Sequence, residues 1–117
     1  MILSANTFKT RDTAEAHYLG LCDLWASEQR RIDPAQEAIY RRKAHEANAG
    51  GGPLLDAEAD AICIEKSDLC ERVKTAQAAT EQAWADVEVK RVKAKADIRA
   101  SQTAAQMHAI VKTLRAE

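Results

Sequence analysis

A chain of 117 residues has room for one domain, and its formal net charge of -1 excludes both a generally basic nucleic-acid coat and an acidic mimic that works by bulk charge. Alanine makes up about a fifth of the sequence, and Phe8, Tyr18, Trp25, Tyr40 and Trp84 are the only aromatics, a composition that favours closely packed helices with thin apolar seams. No run alternates in the manner of a strand, so the expected fold class is all-α.

Residues 1–11 lack periodicity and read as an extended arm. The first helix is expected over about 12–32, opened by the capping box Asp12-Thr13-Ala14-Glu15. Its apolar face is Ala14, Tyr18, Leu21, Cys22, Trp25 and Ile32, at three- and four-residue spacing. A second start follows at Asp33-Pro34-Ala35-Gln36, with aspartate as N-cap and proline at the first helical position. The second helix should run to about residue 47 and pack through Ala35, Ala38, Ile39 and Tyr40. Together the two would form an N-terminal helical hairpin (12–48), closed by a glycine-rich hinge at 49–53.

From residue 54 to 117 there is neither glycine nor proline. This segment is expected to be one long coiled-coil-like helix or an antiparallel helical hairpin over about 54–116. Ile62, Leu69, Val73, Ala76, Ala83 and Val87 form a first seam, and Ala100, Ala104, Met107, Val111 and Leu114 a second. The register shifts between residues 87 and 98, which marks a stutter or a turn.

Charge along this segment is polarised. Asp56, Glu58, Asp60, Glu65, Asp68, Glu71, Glu81, Asp86 and Glu88 dominate its first part, and Lys90, Arg91, Lys93, Lys95, Arg99, Lys112 and Arg115 its second. A helix dipole acts within about a turn of each end and does not produce such a gradient. The signs match if the chain folds back near 86–90 or if two copies pair antiparallel, whereas a parallel pair opposes like charges. No breaker stands at 86–90, which favours a homodimer with antiparallel helices.

The sharpest local feature is the cationic face Arg91, Lys95 and Arg99, flanked by Lys90 and Lys93. Arg41, Arg42 and Lys43 form a second basic cluster. Trp84 stands among small residues, either to receive the N-terminal hairpin or to anchor a partner. Cys22, Cys63 and Cys70 are an odd number without a Cys-x-x-Cys pair, and His17, His45 and His108 lack ligand spacing, so neither a disulfide framework nor a metal site is expected. No phosphate loop, dinucleotide fingerprint or nucleophile motif is present, so no cofactor and no enzymatic activity are expected. No stretch is long and apolar enough for a membrane span, and the expected compartment is the cytoplasm.

These features predict a non-enzymatic helical protein–protein interaction module, of the kind a small bacterial or phage accessory factor uses to bind and modulate a larger assembly. A nucleic-acid-associated factor working through Lys90 to Arg99 is the first alternative. A structural helical rod is the second.

Overall fold

The computed structural model describes residues 9–116, and the expected extended arm falls largely outside them. The fold is all-α, with five helices and, among the described residues, no strand: α1 (Arg11–Gln29), α2 (Pro34–Asn48), α3 (Pro53–Ile62), α4 (Lys66–Ala100) and α5 (Ala104–Ala116). They divide into two compact units. One is made from residues up to 31 and from 85 onward, and the other from residues 32–84. The first two helices fall in the expected places, but they bury their faces on different neighbours: α1 against α5, and α2 against α3.

In the unit built from α1, the end of α4 and α5, the core is Tyr18, Cys22 and Trp25 of α1 with Ala94 and Ile98 of α4 and Met107, Val111 and Leu114 of α5. This is the face read from the sequence in α1, and also the later part of the second seam. The N-cap of α1 lies two residues earlier than expected. Thr10, not Asp12, is the N-cap, its hydroxyl accepting from the Thr13 amide at 3.1 Å. That places Arg11 in the helix, where its guanidinium donates to the carbonyls of Ser101 (2.8 Å) and Arg99 (2.7 Å) at the end of α4. These carbonyls have no partners inside the helix, and the cation also meets the negative pole of its dipole.

The segment after residue 54 is neither one helix nor a hairpin turned at 86–90: α4 runs unbroken through that position, and the turns fall at 63–65 and 101–103. The second turn is made without glycine or proline. Ser101 Oγ donates to the Asp97 carbonyl, Thr103 Oγ1 accepts from the Gln106 amide, and Gln106 Oε1 accepts from the amides of Gln102 and Thr103. Thr103-x-x-Gln106 is thus a capping box. At the first turn Cys63 adopts a left-handed conformation (φ 57°). There the Ile64 amide reaches back to the Ala59 carbonyl at 3.0 Å and the Cys63 amide to Asp60, the pattern of a Schellman end.

The unit of residues 32–84 has a small core: Ala47 at the end of α2, Leu55 and Ala59 of α3, and Leu69 and Cys70 at the start of α4, with Ile64 and Val73 beside them. Asp33 caps α2 as expected, accepting from the Gln36 amide at 3.2 Å. The packing face of α2 differs from the one expected. Ala35, Ala38, Ile39 and Tyr40 are exposed, and only Glu46 and Ala47 are buried. The reason is α3, whose ten residues cover the last turn of α2 and leave the earlier turns uncovered.

Glu46 joins these helices. It is 6% exposed, and its carboxylate accepts from the Leu55 amide at 2.9 Å and from Arg42 Nε at 3.0 Å. It therefore caps α3 across the turn, where Gly52 at the N-cap position offers no side chain. The Leu55 amide, and after it Arg42, hold this carboxyl below the usual glutamate range, against the opposing effect of its burial.

Candidate functional site

The core of residues 32–84 gathers the last turn of α2 and the first turns of α4. Beyond the reach of α3 nothing in the unit fills the space between them, and a cleft of about 530 Å³ opens there. Val73, Ala76, Gln77, Thr80, Glu81 and Trp84 form its α4 wall, a single helical face. Ile32, Tyr40 and Ala44 face them from the other side, with Glu37, Arg41 and Lys43 at the rim. Tyr40 is 52% exposed and Trp84 36% exposed, two large amphipathic rings with apolar area left open to solvent.

The α4 wall shares Val73 and Ala76 with the first expected seam. Of that seam Leu69 is buried and Val73 is half-buried against the small core, but Ala76 and Ala83 are exposed, as is every residue from 78 to 84. Ile62 is 55% exposed. At Ala76 and Ala83 the expected seam is left uncovered by the rest of the unit.

Of the residues singled out from the sequence, Arg41, Lys43 and Trp84 come together at this cleft. Their charges are partly satisfied: Arg41 pairs with Glu37, and Lys43 with Glu58 at 2.7 Å. Arg42 turns instead to Glu46. Trp84 shares the cleft with Tyr40 but not with Tyr18 or Trp25, which pack in the other unit among α4 and α5 residues.

The basic stripe of α4 lies in that other unit and is drawn into ion pairs. Asp23 of α1 accepts from Arg91 at 2.9 Å and from Lys95 at 3.0 Å, and Glu88 accepts from Arg91 at 2.6 Å. Lys95 first, and then Arg91, hold the Asp23 carboxyl below the usual aspartate range, while Glu88 and Asp23 push the guanidinium of Arg91 upward. Lys93 pairs with Asp97 at 2.8 Å, so its ammonium is raised too. Arg99 is exposed, and its backbone carbonyl is the one taken by Arg11. Lys90 lines, with Lys93, a shallow groove of about 390 Å³ between α4 and α5. From α1 the stripe is met by Asp23, which the charge gradient along 54–117 did not reveal, while Glu88 and Asp97 pair with it from α4 itself.

Among the described residues no three metal-ligating side chains converge. Cys22 and Cys70 are buried, and burial raises the Cys22 thiol; Cys63 is exposed at the end of α3. No described helix is long and apolar enough to cross a membrane.

The residues that sequence reasoning missed are Ile32 and Tyr40 as cleft residues and Thr80 and Glu81 opposite them. Their signal was present in the α4 face at three- and four-residue spacing, but the exposure of α2 depends on the short reach of α3. No protein-family model matches this chain, and neither a curated protein nor a solved structure is similar to it.

Proposed function

We propose that this protein is a non-enzymatic helical protein–protein interaction module that receives a helix in the cleft between α2 and α4. The observation that carries this reading is the open apolar cleft itself, lined by Trp84 from α4 and Tyr40 from α2. Helix-in-groove binding uses such a surface, an apolar groove in which a few aromatic anchors supply most of the energy. A small accessory factor of bacterial or phage type that modulates a larger assembly fits this architecture. The nucleic-acid alternative draws less support, because Arg91, Lys93 and Lys95 already have carboxylate partners and a phosphate would have to displace them.

A photo-crosslinking residue placed at the exposed Ala76, in the protein expressed in its native cells, tests the reading. The expected result is an adduct with a helical polypeptide that disappears in the Trp84→Ala variant. No adduct, or one indifferent to Trp84, would refute it.

A further inference from the structure

The charges lining the cleft balance except at one residue. Arg41 is neutralised by Glu37, and Lys43 by Glu58. Glu81 of the α4 wall has no cation as partner among the described residues, and its carboxylate accepts from the side-chain amide of Gln77 at 3.2 Å. Its own helix supplies none. The positions three and four residues from Glu81 are Gln77, Ala78, Trp84 and Ala85, and Lys74, further back, pairs with Glu71.

This one uncompensated charge restricts what the cleft accepts. An occupant that covers the apolar lining also removes Glu81 from water, and a carboxylate desolvated without a counter-charge opposes binding. The pairs Arg41–Glu37 and Lys43–Glu58 carry their own neutralisation with them and ask for no charge from the occupant. Glu81 does. Trp84 lines the same cleft three residues further on, and the face of an indole attracts a cation, a guanidinium above all. Side chains at that spacing are neighbours on a helix, so one cationic group can meet the carboxylate and lie on the ring together.

We infer that the cleft takes a cationic amphipathic helix, one whose apolar face carries a single arginine or lysine seated at Glu81 and against the indole of Trp84. This inference rests on the cleft being a helix-binding site, and it adds the charge that the helix must bring. Apolar contact with Trp84 and Tyr40 supplies affinity to any helix that fits. The cation supplies selectivity. A neutral helix leaves Glu81 covered and unpaired, and an acidic one adds repulsion to that penalty.

A phage-displayed library of helical peptides, randomised along one face, tests the charge requirement when selected separately on the full chain and on its Glu81→Gln and Trp84→Ala variants. All three positions of interest are on the surface, so the variants should fold, which helical circular dichroism checks. Peptides selected on the wild type are expected to share one arginine or lysine within an apolar face, and those selected on Glu81→Gln to lack that preference. Replacing the shared cation of a synthetic selected peptide by glutamine should weaken binding roughly tenfold on the wild type and less than about twofold on Glu81→Gln. Peptides that need Trp84 but show no cation, or show the same cation on Glu81→Gln, overturn this inference and leave the helix-binding reading standing. If no selected peptide depends on Trp84, both fall.

Discussion

The contact between Gly52 and Glu46 gives a sharp quantitative expectation. Gly52 has an extended backbone (φ 177°), which any residue adopts, so the glycine is not there for its torsion angles. It is there for space. A Cβ at this position would lie 2.5 Å from Cγ and Cδ of Glu46 and 2.6 Å from its Oε1, the oxygen that holds the Leu55 amide. Alanine at 52 must therefore push the Glu46 carboxylate away and uncap α3. Two other effects nearly offset one another: alanine is a poorer N-cap than glycine, and it lowers the entropy of the unfolded chain. What remains is the overlap, for which overpacking typically costs about 1–3 kcal/mol. Gly52→Ala should thus lower stability by about that amount in the wild type and hardly at all in a Glu46→Ala background, where the obstructing side chain is gone. Urea unfolding of the four proteins, followed by circular dichroism, measures the cycle. An equal cost of Gly52→Ala in both backgrounds would refute the capping role assigned to Glu46.

Acid should act through three carboxyls, Glu46, Asp23 and Glu88, all held below their ordinary range. Such groups contribute stability in full above their unfolded values, near pH 4, and lose it as pH falls through the folded values. Stability should therefore drop steeply below about pH 4, and Asp23→Asn should flatten that slope in a pH series of unfolding curves; an unchanged slope would rule out the Asp23 contribution. Met107→Ala removes a fully buried side chain from the core shared by α1, α4 and α5, and should cost about 2–5 kcal/mol. Hydrogen exchange should show the loss of protection in α1 and α5 ahead of α2 and α3, and a uniform loss would contradict the division into two cores. Arg11→Gln, which surrenders guanidinium bonds to Arg99 and Ser101, should cost about 1–2 kcal/mol by thermal unfolding, and no change would mean those bonds are not made in solution.

Helix content and most of one core were legible in the sequence, because Ala14, Tyr18, Cys22 and Trp25 repeat at helical spacing and Asp33-Pro34 marks a start by local hydrogen bonding alone. The turns at 63–65 and 101–103 were not anticipated. Reading stops from glycine and proline misses a Schellman end with cysteine in the left-handed position, and Thr103-x-x-Gln106 was a visible box that an expectation of uninterrupted helix passed over. The pairing of α1 with α5 depends on contacts across some 90 positions, as between Arg11 and Ser101, and no local pattern encodes them. At the cleft, Trp84 and the Arg41–Lys43 cluster were identified by their chemistry. Tyr40 was assigned to a packed face because the length of α3, which decides how much of α2 is covered, is itself set by the unforeseen turn.

The unit formed by α1, the end of α4 and α5 is discontinuous in sequence, whereas residues 32–84 are contiguous. During synthesis the contiguous part can complete its core while α5 has yet to leave the ribosome. Helix α1, made first, must wait with Tyr18, Cys22 and Trp25 uncovered until Met107 and Val111 arrive. Closing so long a separation is slow compared with forming local contacts. Helix α1 therefore emerges ahead of α2–α5 but is buried only when α5 arrives, a window in which a chaperone that recognises an aromatic amphipathic helix has its best opportunity to bind.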